Sequence, residues 1–548
     1  MAHPRSLPAV EFNLADLFEA VAQTVPRAEA LVCGGAGGIS VRRTYAELDA
    51  RADRLAQALA ARGIGPHDFV GLHLYNGPEF IEAMVALHKL RAVPINVNYR
   101  YVAEELQYLF ADSGMRAVIT EPDLAPFIES IDDGLADLGA ILVTGPGYDD
   151  LLAAQPPGPV EVGARSADDL YVLYTGGTTG RPKGVVWRHE DIYFASLGGR
   201  GTPSKGVAML SEPDQIIDRV RRGDPIRRRL PLCPLIHGGA AWVAWQSLLS
   251  GGALVLDTDR HFDPAAALGL LAGEGVELTM VIGDATARPL ADQLAEHPDR
   301  WDLAGLQVIA SGGAVLSASV KAQLRDLLPG TAVIDTFGAS ETGGQGRLTR
   351  SRHDGTLRLI TDEHTAVLGD DLCPVAPGEI GRLARSGHIP LGYHGDAAKT
   401  AATFPTVDGV RWSVPGDLAR LEHDGGITLL GRGSTSINTG GEKVFPEEVE
   451  NIVKSHPAVF DALVVGVPDA RFGERVTAVI AVRPGVGAPS VDELGDHCRL
   501  RLSGYKVPHI WLLVDRCERL PSGKPDYGWA RRIANDTATA ASVDPAPG

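Results

Sequence analysis

Cysteine is scarce in this 548-residue chain, whose five cysteines are widely separated and form no Cys-x-x-Cys pair. Such a set argues against a disulfide framework and a structural zinc site, and it predicts a reducing, cytoplasmic environment. Positively charged residues are also few: the chain has 51 lysines and arginines against 69 aspartates and glutamates, which gives a net charge of −18. This balance argues against a nucleic-acid-binding surface but allows a local basic site for an anion.

Long apolar segments are few. The N-terminal residues lack the apolar core of a signal peptide, so we expect no secretory leader. The stretch Gly238–Leu256 carries no charge, but it contains Gln246, two serines and a glycine pair. A buried helix, a glycine turn and a strand fit this stretch better than a membrane span, and no membrane span is predicted.

The pattern of apolar residues predicts an α/β fold. Asn13–Val25 and Thr44–Ala61 have helical spacing behind capping residues. Phe69–Leu74 alternates like a strand, and Gly77–Leu90 is again helical. Strand and helix signals continue to alternate up to residue 430, and the length of the chain requires more than one domain.

A second unit begins near Gly431. Beyond it the pattern predicts helices at Pro446–Ser455 and Ser490–Leu502 and strands at Asp461–Val467 and Val476–Arg483. We therefore predict a large multi-subdomain N-terminal domain over residues 1–431, a hinge at 432–434, a small mobile α+β C-terminal domain at 435–534, and a disordered tail at 535–548.

The polar segment Arg200–Arg229 interrupts this pattern and predicts an insertion or a mobile excursion. It is rich in arginine between positions 219 and 229. These side chains could form an anion-binding patch or simply a solvated, partly helical face, and the sequence favours the second interpretation.

A short apolar strand, Leu170–Tyr174, leads into a loop rich in glycine and threonine that ends at Lys183. Glycines let backbone N–H groups wrap around an anion, threonine hydroxyls add donors, and the lysine adds charge, which together suit a polyphosphate. The loop is not a Walker A motif, because Pro182 stands where that motif requires glycine. Neither Gly523-Lys524 nor the glycines from Gly35 onward complete a nucleotide-binding fingerprint.

With its neighbours this loop, Tyr174–Val186, resembles the phosphate-binding signature of the adenylate-forming superfamily of acyl-CoA ligases, adenylation domains and luciferases. Four further motifs follow in the superfamily's order: Phe337–Thr342, Val414–Asp417, Gly431–Glu448 and Pro521–Lys524. The resemblance spans nearly the whole chain. It implies an enzyme that uses ATP, Mg²⁺ and coenzyme A to convert a small-molecule carboxylic acid into an acyl-AMP and then a thioester.

The resemblance also implies a role for each matching residue. Mg²⁺ would bind to Glu341, adenine would stack on Phe337 near Asp335, and the ribose would bind Asp417 with support from Arg432. The catalytic residues would be Lys524, Glu341, Thr178 and His237. The ATP- or AMP-binding residues would be Thr175, Gly176, Gly177, Thr178, Thr179, Lys183, Gly312, Gly313, Ala314, Asp335, Phe337, Gly338, Ser340, Glu341, Asp417, Arg432 and Lys524.

The acyl and thiol sites are assigned in the same way. The acyl pocket would be lined by His237, which would gate its mouth, and by Val281, Gly283, Asp284 and Gly338. In this superfamily the small domain alternates between two poses about a pivot, here Ser434. One pose presents the C-terminal lysine for adenylation, and the other presents a glycine loop to the thiol, here Gly440, Gly441 and Glu442.

Four positions depart from the superfamily's commoner residues, namely Ser434, Thr435, Phe337 and Ser340, and each keeps size or hydroxyl character. The branch that the chain most resembles comprises actinobacterial ligases for carboxylated side chains of steroids and other bulky lipids. The segments that carry this likeness are Tyr174–Gly180, Trp187–Asp191, Gly283–Pro289, Ile437–Lys443, Gly504–Pro508 and Gly523–Tyr527.

A polycyclic terpenoid or steroid-like acid is therefore the expected substrate, with a long-chain fatty acid second. Small residues in the candidate pocket, such as Gly238–Ala241, could leave room for a wide acid or could permit close backbone packing. Apolar burial on the order of 25 cal/mol per Å² would favour such an acid over acetate.

Several alternatives stay open. The thiol acceptor could be a carrier protein, although no carrier-like domain follows residue 548. The enzyme could perform one half-reaction only, and a non-catalytic binding protein would be hard to reconcile with the intact motif residues. A luciferase-like oxygenase would share the motifs, and a serine hydrolase is excluded because Gly338–Gly343 is not a Gly-x-Ser-x-Gly elbow. A homodimer is possible.

Overall fold

In the computed structural model, the described residues are 11–131, 138–175, 181–201, 206–223, 225–314, 316–350, 357–432, 437–439, 442–469, 473–502, 504–520 and 524–541. Within them the helices are α1 Leu14–Thr24, α2 Tyr45–Ala60, α3 Pro78–Lys89, α4 Ala103–Ser113, α5 Ala125–Glu129, α6 Tyr148–Ala153, α7 His189–Ser196, α8 Gln215–Arg222, α9 Gly238–Leu249, α10 Pro264–Gly273, α11 Gly283–Glu296, α12 Ala318–Leu327, α13 Ala397–Thr403, α14 Pro446–Lys454, α15 Val491–Arg499 and α16 Tyr527–Ala541.

The strands are β1 Glu29–Gly35, β2 Gly38–Thr44, β3 Phe69–His73, β4 Val93–Asn96, β5 Ala117–Thr120, β6 Ala140–Val143, β7 Leu170–Thr175, β8 Lys183–Arg188, β9 Arg228–Pro231, β10 Ala253–Asp257, β11 Leu278–Val281, β12 Val308–Ser311, β13 Ala332–Ala339, β14 Gly343–Arg350, β15 Leu357–Ile360, β16 Thr365–Leu368, β17 Ile380–Arg385, β18 Gly392–Tyr393, β19 Thr406–Val407, β20 Val410–Arg411, β21 Asp417–Leu421, β22 Ile427–Arg432, β23 Ile437–Thr439, β24 Glu442–Val444, β25 Val459–Asp469, β26 Gly473–Val482 and β27 Ile510–Val514.

The long sheet of the N-terminal part has the strand order β16-β17-β21-β22-β15-β14-β13-β12-β11-β9-β10-β1-β2. From β1 to β13 the central strands run parallel, and beyond β13 the pairing is antiparallel. This part also contains a parallel sheet β4-β3-β5-β6, an antiparallel sheet β18-β8-β7 and the two-stranded sheet β19-β20. The carboxyl ends of β11, β12 and β13 consequently meet at one edge, where open α/β sheets bind their ligands.

Local capping explains where the first helices begin. Asn13 accepts from the backbone N–H of Ala15 at 3.0 Å, and Thr44 forms a reciprocal capping box with Glu47. The apolar faces of these helices pack into the largest core, around Phe18, Leu48 and Trp245. The predicted α/β fold, with a large N-terminal and a smaller C-terminal domain, is confirmed.

The small C-terminal part has its own sheet and core. Its sheet has the order β24-β23-β26-β25, with β27 parallel to β26. Helices α14 and α16 pack on β25, and α15 packs on α14. The long sheet ends at Arg432 and the small sheet begins at Ile437, but the exact domain limits stay a prediction. The predicted disordered tail is wrong for residues 535–541, because α16 continues to Ala541; Ala530 and Ala534 bury its face in the small core.

The stretch Gly238–Leu256 forms α9, a glycine turn and β10, as predicted. No helix in the described ranges is both long and apolar enough to cross a membrane. The arginines of the polar segment do not assemble an anion patch in the described residues. Arg219 donates to the backbone carbonyls of Gly198 and Ala208, and Arg228 pairs with Glu29 and Glu274. These internal contacts, together with α8, fit the partly helical face that the sequence favoured.

Candidate active site

A cavity of about 2100 Å³ lies between the edge of the long sheet and the small C-terminal part. It collects predicted site residues that are up to 349 positions apart in the sequence, from Thr175 to Lys524. The predicted residues among its lining are Thr175, His237, Gly312, Gly313, Ala314, Asp335, Phe337, Gly338, Ser340, Glu341, Asp417 and Lys524. The structure therefore brings most of the described candidates to one place.

The phosphate loop joins two paired strands. Thr175 ends β7 and lies opposite Lys183, the first residue of β8. The predicted residues between them, Gly176, Gly177, Thr178 and Thr179, lie outside the described residues. Lys183 forms an ion pair with Asp396, and the hydrogen bond that it donates lowers the pKa of this carboxyl. A phosphate at Lys183 would have to displace Asp396 or share the ammonium group with it.

The predicted adenine site lies at the carboxyl end of β13. Asp335 Oδ2 accepts from Lys321 Nζ at 2.6 Å, which fixes the carboxylate. Its other oxygen, Oδ1, is buried and has no hydrogen-bond partner among the described residues. A buried acceptor of this kind fits an exocyclic amino group. Phe337, two residues further along the strand, is half-buried at the cavity and offers its ring for stacking.

Three hydrogen bonds hold the loop that carries Glu341. The Glu341 side chain accepts from the hydroxyl of Tyr393 at 2.9 Å, and its backbone carbonyl accepts from Ser413 at 2.6 Å. The preceding carbonyl, of Ser340, accepts from the indole of Trp187 at 3.1 Å. The Glu341 carboxylate is thereby fixed at the cavity, and an oxygen ligand of this type suits Mg²⁺.

The predicted ribose site is built from two paired strands. Asp417 opens β21 directly after Gly416, whose φ of +106° suits glycine. It lies opposite Arg432, the last residue of β22. The side chain of Arg432 lies outside the described part, so its predicted support of the ribose stays a prediction.

Lys524 and His237 approach each other from different parts of the chain. Lys524 belongs to the small C-terminal part, where its carbonyl accepts from the backbone N–H of Leu520 at 2.8 Å. Burial lowers the pKa of His237 to about 4, and the positive charge of Lys524 contributes to this lowering. His237 is thus neutral at pH 7, and its buried Nε2 has no hydrogen-bond partner in the described ranges.

Three of the predicted acyl-pocket residues do not line the cavity. Val281 is fully buried in the core on the other face of β11, whereas its neighbours Met280 and Ile282 line the cavity. Successive side chains of a strand point to opposite faces, so the prediction that Val281 lines the acyl pocket named a residue on the face away from the cavity. Gly283 begins α11, and its N–H donates to Ser311 Oγ at 3.1 Å.

Asp284 has a structural role in place of the predicted one. Its carboxylate pairs with Arg288 at 2.9 Å and accepts from the backbone N–H of Ser317 at 2.7 Å. These contacts hold the start of α11 against the start of α12. The assignment of Asp284 to the acyl pocket is therefore corrected.

Sequence reasoning placed the start of α9, Gly238–Ala241, at the pocket but missed the rest of the helix face that lines the cavity. Gly239, Trp242, Val243 and Gln246 all border it, together with Ala195 and Ser196 of α7. On α9, Trp242, Val243 and Gln246 come three, four and seven residues after Gly239, which is the spacing of one helix face. Because the segment after His237 was already predicted to be a helix, this spacing could have identified the cavity-lining face from the sequence.

The glycines at the cavity serve close packing as well as space. A Cβ at Gly238 would stand 2.6 Å from Leu173, and one at Gly239 would stand 2.5 Å from Met280. The same atom at Gly312 would meet Met280 at 2.9 Å. The small residues could have left room for a wide acid or permitted close packing, and at these three positions they permit close packing.

The predicted thiol loop and pivot are only partly described. Gly440, Gly441 and Ser434 lie outside the described residues, and Glu442 is described in its backbone alone, as the first residue of β24. Lys524, in contrast, faces the cavity. The small C-terminal part thus presents its lysine to the site of the nucleotide-binding motifs.

Comparison with known proteins places the chain in a family. The model of the AMP-binding enzyme family matches residues 18–394, and that of the AMP-binding enzyme C-terminal domain matches residues 448–524. The chain therefore belongs to the AMP-binding enzyme family, in agreement with the resemblance of its motifs.

Among its relatives, the chain is 45% identical to the 3-oxocholest-4-en-26-oate–CoA ligase of Rhodococcus rhodochrous, over 95% of each chain. It is 42% identical to the medium/long-chain-fatty-acid–CoA/3-oxocholest-4-en-26-oate–CoA ligase of Mycolicibacterium smegmatis, over 96% of this chain and 97% of that one. The structure of the anthranilate CoA ligase AuaEII with anthranoyl-AMP matches with a TM-score of 0.83 at 23% identity, covering 97% of this chain and 100% of that one. The predicted enzyme class, an ATP-dependent acid–thiol ligase, is confirmed.

Proposed function

We propose that this protein activates a steroid-like or long-chain carboxylic acid with ATP and transfers the acyl group to coenzyme A. The observation that carries the proposal is the identity of 42–45% over at least 95% of the chain to ligases named for 3-oxocholest-4-en-26-oate. The cavity of about 2100 Å³, more than twice the roughly 300–1000 Å³ of a typical single-ligand pocket, leaves room for ATP and a large acid together.

In the first step a carboxylate oxygen of the acid attacks the α-phosphorus of ATP, and pyrophosphate leaves. Both reactants are anions, so the site must supply positive charge and alignment. Lys524 would bridge the carboxylate and the α-phosphate while charge develops between them. Asp335 and Phe337 would orient the adenine, and Asp417 would hold the ribose hydroxyls.

Mg²⁺ would be held by Glu341, whose carboxylate is fixed at the cavity by Tyr393. Bound there, the ion would supply positive charge to the phosphates. Lys183 and Thr175 would hold the outer phosphates at the loop, with Thr178 and Thr179 as further donors. His237, neutral at pH 7, would stand between Lys524 and the acyl chain without placing a second charge there.

In the second step the thiol of coenzyme A attacks the acyl carbonyl, and AMP leaves. The described arrangement, with Lys524 at the cavity, corresponds to the first step. For the second step the small domain would turn about Ser434 to present Gly440, Gly441 and Glu442. A homodimer and a cytoplasmic location stay predictions.

A substrate panel tests the proposal. Acetate, benzoate, palmitate, a diterpenoid acid and a steroid side-chain acid are each incubated with ATP, Mg²⁺ and coenzyme A, and the acyl-CoA product is measured by mass. We expect the steroid acid to give the highest kcat/KM and palmitate to follow. If acetate or benzoate gave the highest value, the bulky-substrate proposal would be wrong.

Two further reactions separate the alternatives to this function. Acid and ATP without coenzyme A measure adenylation alone, and pre-made acyl-AMP with coenzyme A measures thioester formation alone. We expect both activities. An enzyme that performs one half-reaction would show only one of them, and a binding protein would show neither.

A further inference from the structure

One charged side chain that lines the cavity, Arg200, has no part in the proposed reaction. The reacting end is marked by His237, whose pKa responds to Lys524. From there α9 runs along the cavity to Gln246, nine residues later, a distance of about 14 Å at the helical rise. The side chain of Gln246 donates to the backbone carbonyl of Ser196 at 2.7 Å. Arg200, which also lines the cavity, comes four residues after Ser196 in the chain.

In the cavity-lining segments around α7, α9 and β11, the side chains other than Arg200 are apolar or neutral. Residues 194–201, 233–246 and 280–282 are all described, and among their cavity-lining members Arg200 is the one with a charge at pH 7. Other residues of these ranges that line the cavity include Ala195, Trp242, Val243 and Ile282. The side chain of Arg200 is 26% exposed, so most of it has been removed from water.

Arg200 shares its ion-pair partner with a second arginine. Its Nη1 lies 3.2 Å from Asp362 Oδ2, but Asp362 already binds the buried Arg385 through both oxygens, at 2.7 and 2.9 Å. Asp362 thus pairs with two arginines, and the carboxylate of Glu363 acts on Arg200 through its charge. Burial and the repulsion from Arg385 lower the pKa of Arg200 to about 10, so the group stays charged at neutral pH.

A purely apolar acyl chain would press against this cation and remove more of its water without replacing the lost hydrogen bonds, which is unfavourable. An acceptor oxygen at the same place would restore a hydrogen bond to the charged group. We propose that Arg200 selects acids that carry an acceptor oxygen at the end remote from the carboxylate. The relatives' substrate name, with an oxo group at position 3 and a carboxylate at position 26, describes such an acid. This inference rests on the proposed function.

The test compares two steroid side-chain acids that differ only in the ring farthest from the carboxylate, where one has a ketone and the other a methylene. We expect wild-type protein to favour the keto acid by ~10–100-fold in kcat/KM, the range for a hydrogen bond to a charged group. Arg200→Leu should reduce this preference to near unity by slowing the keto acid alone. Arg200→Lys should retain part of the preference, because it keeps the charge.

Arg221→Leu is the matched control, because Arg221 lies on α8, is 67% exposed and does not line the cavity. It should leave the preference unchanged.

A third acid, with a carboxylate on the remote ring, identifies the kind of oxygen that Arg200 binds. If this acid outperforms the keto acid and loses its advantage in Arg200→Leu, the preferred acceptor is a carboxylate. Arg200 is the selecting residue in that case too.

Two results would overturn the inference. One is the absence of any preference in the wild-type protein, a measurement that does not depend on whether a variant folds. The other is an equal loss for both acids in Arg200→Leu, which would make Arg200 a structural partner of Asp362. In either case good turnover of both steroid acids would leave the proposed function intact, whereas a preference for acetate would refute that function.

Discussion

The guanidinium of Arg288 lies 5.0 Å from the ring centre of Phe460 and so connects the large N-terminal part to the small C-terminal part. Arg288 is buried on α11 and is held by its ion pair with Asp284, while Phe460 is half-buried on β25. Because the two residues belong to different parts, this contact requires the arrangement that also brings Lys524 to the cavity.

Phe460→Ala should therefore weaken the adenylation arrangement without touching the reacting groups. A cation–π contact contributes roughly 0.5–2 kcal/mol, so adenylation should slow by ~2–30-fold. Thioester formation from supplied acyl-AMP should be spared. Phe460→Tyr keeps the ring and should behave like the wild type. Equal slowing of both half-reactions by the alanine variant would show that the contact is not specific to one arrangement.

Lys524→Ala should lower the rate of adenylation by ~10²–10⁴-fold, the scale for removing one electrostatic stabiliser. Pre-made acyl-AMP should still be converted to the thioester, because the lysine would act only on the first step. The two rates are measured separately by pyrophosphate release and by acyl-CoA formation. An equal loss of both rates would contradict alternation between two poses.

The same variant has a spectroscopic consequence at His237. The charge of Lys524 helps to hold the pKa of this imidazole at about 4, so Lys524→Ala should raise it. Lys524→Arg keeps the charge and should leave the pKa low. An NMR titration of the imidazole resonances measures both values, and an unchanged pKa in the alanine variant would place Lys524 too far away to act on His237.

The parts of this fold that sequence reasoning predicted best are governed by neighbours in the chain. Asn13 and Thr44 cap helices through atoms two or three residues away, so their positions could be predicted without tertiary information. The motif residues at the cavity were found by resemblance. Their common location follows from a sheet in which the carboxyl ends of parallel strands share one edge.

The errors arose where distant contacts decide the outcome. The one polar side chain of β11, Thr279, is buried on the same face as Val281, so the strand's pattern did not show that Met280 and not Val281 points to the cavity. Similarly, the composition after Asn535 suggested disorder. α16 nevertheless continues to Ala541 from a preceding turn in which Ala530 and Ala534 pack against the small-domain core, including Leu463 of β25.

Gly431 lies at the end of the long sheet, beside the predicted pivot. Its φ is +107°, and a Cβ there would stand 2.4 Å from Oε2 of Glu447 in the first turn of α14. Gly431→Ala should therefore combine an unfavourable backbone conformation, which costs ~1–2 kcal/mol, with a collision between the two domains. We expect a lower Tm and slower adenylation.

Gly425→Ala is the control that separates these two effects. Gly425 has a φ of +78°, and a Cβ there would meet nothing within 4 Å. It should lower the Tm to a similar degree while leaving adenylation unchanged. Adding Glu447→Ala to Gly431→Ala should recover part of the adenylation rate. If Gly425→Ala slowed adenylation as much as Gly431→Ala, the collision with Glu447 would have no functional effect.

Buried histidines make stability depend on pH. Burial lowers the pKa of His73 and of His88 to about 4, from an ordinary value of 6.5, and lowers that of His189 as well. His88 donates from Nδ1 to the carbonyl of Met84 at 2.7 Å, which suits the neutral ring. Between pH 6.5 and 4 the unfolded chain binds protons that the folded chain does not, so the free energy of unfolding must fall as the pH is lowered through this window.

For His88 alone the loss should reach about 2 kcal/mol at pH 5, because each unit of pKa difference is equivalent to about 1.4 kcal/mol. His88→Gln can still donate to Met84 and does not titrate. It should be less stable than the wild type at pH 7.5, yet lose less stability between pH 7.5 and pH 5. Urea unfolding at the two pH values measures this difference.

His261→Gln is the control, because it changes an exposed histidine. It should lose as much stability between pH 7.5 and pH 5 as the wild type does. If His88→Gln lost as much stability on acidification as the wild type, protonation of His88 would not contribute to acid unfolding.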